Sequence, residues 1–111
     1  MQIEKFIEEW ISVGNSYNTE KYLEFYLPNS VLDDLSVGRK FTGKDGIKEY
    51  FESYFIGYQT QTRKIDLSIK GDDHAHLEVE FTGEFPEGKV RGIFDFTFES
   101  GKISFLSADL I

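Results

Sequence analysis

The chain of 111 residues contains no cysteine. A disulfide framework, a thiolate metal site and a cysteine nucleophile are thereby excluded. Basic residues are also few: 12 Lys and Arg stand against 20 Asp and Glu, a net charge of −8. Such a surface repels phosphate backbones and anionic lipid, so neither nucleic acid nor a membrane surface is expected as a partner. No apolar run approaches the length that spans a bilayer. The segment Met1-Gln2-Ile3-Glu4-Lys5-Phe6 is acidic and amphipathic, without the apolar stretch of a signal peptide, and a cytoplasmic location is expected. Repeats, low-complexity tracts and linker-like stretches are missing too, so residues 1–111 are read as one domain.

What the chain has is aromatic mass. Hydrophobic residues make up 40% and aromatic residues 16%, with 11 Phe. That is enough for a core, and large flat side chains suit a core built around a cavity.

The first half reads as helices and the second as strands, a segregation that predicts an α+β fold. Ile3, Phe6, Ile7, Trp10 and Ile11 recur at helical spacing and predict a helix over 3–13, ended by Gly14-Asn15-Ser16. Asn18 is placed to cap a second helix, with Tyr22, Leu23, Phe25 and Tyr26 on its buried side and Pro28 as its stop. Residues 30–35 alternate as a short strand. A third helix is predicted from Lys44, with the stripe Ile47, Tyr50, Phe51, Tyr54 and Phe55 and its end at Gly57. Four alternating strands follow. Their inward residues are read as Ile65, Leu67 and Ile69, then Ala75, Leu77, Val79 and Phe81, then Gly92, Phe94, Phe96 and Phe98, with a last strand over 103–110.

The order helix, helix, short strand, helix, meander resembles the NTF2-like superfamily, and within it the SnoaL-like and ketosteroid-isomerase-like proteins. The resemblance covers essentially the whole chain. It is carried by Trp10 with Asn18 and Tyr26, by Val31-Leu32-Asp33, by Phe41-Thr42-Gly43-Lys44-Asp45-Gly46-Ile47 running into Tyr50-Phe51, and by Phe98-Glu99-Ser100-Gly101-Lys102-Ile103 with Asp109. It implies a cone-shaped, cystatin-like fold: three N-terminal helices packed on a curved, mainly antiparallel sheet. A homodimer paired through the outer sheet face is also implied. Activity is not, because this fold carries isomerases, cyclases, hydrolases and plain binding modules.

The resemblance implies a general base at Asp33, and strand parity with Val31 and Leu35 reads that carboxylate as inward; the alternative is a structural carboxylate at the rim that accepts backbone N–H bonds, with Asp34 as its exposed neighbour. Beside it, Trp10, Tyr26, Phe51, Tyr54, Phe55, Phe94, Phe96, Leu106 and Leu110 are expected to line a pocket for a small apolar or aromatic molecule. The two places where isomerase members carry oxyanion donors match Trp10 and Phe94. That argues against ordinary ketosteroid isomerisation and toward a binding protein, with an acid–base enzyme of cyclase or isomerase type as the alternative and an interaction domain using the outer sheet face as a weaker one. Arg91 and Asp95 read as exposed cross-strand charges, unlike the Asp–Arg–Asp set of the hydrolase variant. His74 and His76 read as a solvated face, so no metal is expected. No phosphate loop is present and no cofactor is expected.

Overall fold

The computed structural model describes residues 1–111. Its helices are α1 (Ile3–Asn15), α2 (Thr19–Leu23) and α3 (Gly43–Phe51), the last continued by a π-helical turn over Glu52–Ile56. Its strands are β1 (Tyr26–Asp34), β2 (Arg39–Thr42), β3 (Gln61–Lys70), β4 (His74–Thr82), β5 (Lys89–Glu99) and β6 (Lys102–Leu110). They form one sheet in the order β2-β1-β6-β5-β4-β3. All neighbours pair antiparallel except β1 and β6, which run parallel. This is the expected α+β architecture, with helices on one face of a curved sheet.

α1 forms because its apolar stripe has a sheet to lie on. Ile3, Ile7 and Trp10 are buried while Glu4, Glu8 and Glu9 remain exposed. The Trp10 ring meets Phe94 and Phe96 edge-on, at 5.0 and 5.1 Å between centroids, which fixes the helix across β5. α3 contributes Ile47, Tyr50 and Phe51, and the Phe51 ring stacks on Tyr22 at 4.0 Å.

Two local readings are corrected. α2 stops at Leu23, and Tyr26 already belongs to β1, so Pro28 lies inside a strand and does not end a helix. β1 tolerates a proline there because its pairing with β6 is interrupted between Tyr26 and Val31. In β3 a bulge between Lys64 and Asp66 switches the inward parity. Lys64 thus leaves the outer face and reaches Glu8 of α1 at 3.7 Å. Ile65 and Ile69 are exposed at this edge of the sheet, where the helices no longer cover it. Opposite the Thr97–Phe98 step of β5, β6 carries one extra residue, which puts Ile103 and Leu106 inside and leaves Phe105 exposed.

Candidate functional site

The decisive local fact is the parity of β1. In register, Leu32 lies opposite Leu106, Asp33 opposite Ser107 and Asp34 opposite Ala108 of β6. Leu106 and Ala108 are buried, whereas Ser107 shares an outer-face groove with His76 and Asp95. Residues paired across a sheet project from the same face. Leu32 and Asp34 therefore point inward, while Asp33 sits on the outer side and Leu35 is 57% exposed. The reading of Asp33 as the inward carboxylate is corrected to Asp34. A one-residue difference in register exchanges the two faces, and Val31 and Leu35, though apolar, do not decide it. The buried Ser30, whose hydroxyl donates to the Ile103 carbonyl, belongs to the inward set instead.

Asp34 is 6% exposed. Its Oδ1 accepts from the Ser36 backbone N–H at 2.9 Å and from Ser36 Oγ at 2.6 Å. Its Oδ2 accepts from the Tyr50 hydroxyl at 2.7 Å. No Lys, Arg or His pairs with it; the ion pairs of the molecule all lie elsewhere. A buried carboxylate with no basic partner is held in place by these three donors. Tyr50 keeps its proton, because burial and then the neighbouring Asp34 charge raise its pKa well above the usual tyrosine value.

Asp34 and Tyr50 line a half-open cavity of about 190 Å³. Its other walls are Tyr54 and Phe55 from the π-helical turn, Tyr58 and Thr60 after it, Phe81 of β4, Phe85 and Glu87 from the turn before β5, Val90 of β5 and Leu110 of β6. The π-turn positions this wall. Its widened winding is closed by Gly57 N–H donating to the Glu52 carbonyl at 2.9 Å, and Thr60 Oγ1 ties it down by donating to the Tyr54 carbonyl at 2.8 Å. Gly92 has the opposite part: a Cβ there would stand 2.5 Å from the Phe81 ring, so only glycine lets that ring lie against β5.

Of the residues expected in the pocket, Tyr54, Phe55 and Leu110 line this cavity. Trp10, Tyr26, Phe51, Phe94, Phe96 and Leu106 are instead packed solid in the core beneath it. There the Trp10 indole N–H donates to the Tyr26 hydroxyl at 3.2 Å, and Tyr26 donates to Tyr22 at 2.7 Å. The Trp10 donor is thus engaged inside the core, and Phe94 has none to offer. Burial raises the pKa of both Tyr22 and Tyr26. Sequence reasoning missed Asp34, Tyr50, Tyr58, Thr60, Phe81, Phe85, Glu87 and Val90 as a group. Tyr58 and Phe85 carried a signal, since each is a large ring beside a turn-forming residue, Gly57 and Pro86.

The outer face carries the expected charges. His76 Nδ1 meets Asp95 at 2.7 Å, and Arg91 pairs with Glu78 rather than with Asp95.

Comparison with known proteins agrees with this architecture. A protein from Sinorhizobium meliloti provisionally assigned as a polyketide cyclase superposes with a TM-score of 0.85 at 18% identity, covering 94% of this chain and 93% of that one. A Mycobacterium tuberculosis protein in complex with estradiol-17beta-hemisuccinate superposes with a TM-score of 0.82 at 15% identity, covering 93% and 88%. A protein of ketosteroid isomerase-like fold from Catenulispora acidiphila DSM 44928, in complex with trimethylamine, gives a TM-score of 0.81 at 13% identity, covering 93% and 82%. At these identities the likeness is one of fold. No curated protein sequence matches the chain. The family model for the SnoaL-like domain matches residues 7–106, from α1 to the middle of β6, and with the cone of helices and curved sheet it shows that this chain belongs to the SnoaL-like domain family.

Proposed function

We propose that the protein binds a small, mostly apolar molecule in the cavity under α3, oriented by Asp34. The observation that carries this reading is a buried carboxylate, unpaired with any base, in the wall of an otherwise largely aromatic cavity. Isolated apolar cavities hold nothing in a fixed orientation; a convergent polar group in an apolar wall does. The cavity volume limits the ligand. Drug-sized molecules occupy pockets of roughly 300–1,000 Å³, and about 190 Å³ is smaller. Structural neighbours hold ligands as different as a steroid ester and trimethylamine, and the dimensions here favour the small end of that range.

A second reading, acid–base catalysis on the bound molecule, is favoured by one further observation. Hydroxyls of Tyr17, Tyr22, Tyr26 and Tyr50 are engaged inside the protein, whereas those of Tyr54 and Tyr58 are not. Both line the cavity with Asp34, so a carboxylate and a hydroxyl donor are available to one ligand.

One NMR experiment tests both. Small uncharged and charged molecules are titrated into labelled protein in deuterated buffer. Binding is expected to shift amides of the Tyr54–Thr60 and Phe81–Val90 segments, and the shifts are expected to vanish in Val90→Trp, which fills the cavity. Shifts confined to the outer sheet face would remove the binding reading. Loss of ligand C–H signals by exchange with solvent, stopped in Asp34→Asn, is the outcome that catalysis requires.

A further inference from the structure

We infer that the ligand of this cavity is a small organic cation, an alkylammonium ion. The inference rests on the small-molecule reading above and adds the sign of the ligand's charge. Three independent features carry it.

The first is electrostatic. Two carboxylates, Asp34 and Glu87, are the only ionisable acids or bases in the cavity wall apart from tyrosines, and no Lys, Arg or His lines it. Asp34 is buried without a counter-ion, and its three hydrogen bonds come from neutral donors. A buried carboxylate that no base of the protein neutralises leaves that place to a ligand cation. The net charge of −8 draws cations toward the surface and repels anions.

The second is the arrangement of the rings. A flat neutral ligand is best held between parallel faces. Here Tyr50 and Tyr54 meet at 42°, Tyr50 and Phe55 at 54°, Tyr58 and Phe85 at 67°, and Phe55 and Phe81 at 88°. These inclined rings pack against one another, and all six of them line the cavity wall. A rounded cation is attracted by aromatic faces from several directions, a geometry that suits ammonium groups carrying methyl substituents. The methyl groups also bury apolar surface against the same rings.

The third is size. The cavity of about 190 Å³ has room for a compact head group and little more.

Calorimetric titration with choline, and with its carbon isostere in which a neutral quaternary carbon replaces the nitrogen, tests the inference. Shape and apolar surface are then matched and only the charge differs. Choline is expected to bind on the order of tenfold more tightly, or better. That preference is expected to fall toward unity in Asp34→Asn and to weaken in Tyr54→Leu. Added sodium chloride should weaken choline and leave the isostere unchanged. Should Asp34→Asn fail to fold, Glu87→Gln in the exposed turn together with the salt series reads the same charge dependence. Equal binding of the two, or tighter binding of the isostere, overturns the cation inference while the small-molecule reading stands. Binding of neither, with no other small molecule taken up, removes both. A peptide carrying trimethyllysine is the remaining arm: tighter binding of the peptide than of choline would overturn a free ion as the occupant.

Discussion

Asp33 and Asp34 are adjacent and chemically identical, yet only one of them faces the cavity. Register against β6 turns Asp34 inward, where three donors meet it, and this gives a prediction at the scale of single atoms. Tyr50→Phe removes one of three hydrogen bonds to a buried carboxylate and is expected to destabilise the fold by about 1–3 kcal/mol. Tyr54→Phe removes a hydroxyl with no partner inside the protein and is expected to change stability by no more than about 0.5 kcal/mol. Urea unfolding of the two variants measures the contrast. Equal effects would mean that the Tyr50–Asp34 bond does not constrain the site.

At the scale of elements, the cavity exists because three irregular features interrupt regular structure. The π-turn after α3 carries Tyr54 and Phe55, the turn at 83–88 carries Phe85 and Glu87, and Gly92 in β5 leaves space for the Phe81 ring. The last is the simplest to test. A Cβ at position 92 would also come within 3.2 Å of the Asp109 carbonyl of β6, so the ring and the neighbouring strand cannot both stay in place. Gly92→Ala is expected to destabilise the protein by about 1–3 kcal/mol, as overpacking does, and to push Phe81 into the cavity, weakening ligand binding. A variant of unchanged stability and affinity would show that the close approach relaxes freely. The helical stripe Ile47, Tyr50, Phe51, Tyr54, Phe55 was legible from spacing alone; its change of winding at Glu52 was not, because a π-turn keeps the same apolar residues and alters only their direction.

At the scale of the whole molecule, three buried tyrosines make the fold sensitive to alkali. Tyr22, Tyr26 and Tyr50 have folded-state pKa values raised above 10.0, chiefly by burial. In the unfolded chain each ionises near its ordinary value, so the folded state binds more protons above that pH. The stability contributed by the three neutral tyrosines is complete below pH 10 and is lost as pH rises from there toward the folded values. The slope reaches on the order of 1.4 kcal/mol per pH unit for each tyrosine. The buried rings are therefore expected to ionise only together with loss of secondary structure, read as tyrosinate absorbance that rises with unfolding. Ionisation of Tyr22, Tyr26 and Tyr50 without unfolding would contradict this. Tyr22→Phe, which also removes the acceptor of the Tyr26 hydroxyl, should lower stability near neutral pH and reduce the alkaline slope by about one tyrosine's share.

The sequence by itself determined the class of this molecule. Helical stripes in the first half and period-two alternation in the second leave the helices as the only cover for one face of the sheet. The inward sets of β4 and β5 follow directly from that alternation, because the pleat alternates side chains without exception where no bulge intervenes. Tertiary structure decided the rest. Which acid of β1 faces inward depends on its register against β6, a strand some seventy residues away in the chain. Whether Trp10 and Phe94 line a pocket or fill a core depends on how closely α1 approaches β5, a distance that no local pattern encodes. The cavity lies beside α3 and its π-turn, and its walls come from four strands, that helix and π-turn, and the two connections after Ile56 and Thr82. Periodicity reports which face of an element is apolar; it takes the packing of one element on another to decide where the apolar faces meet and where they leave a space.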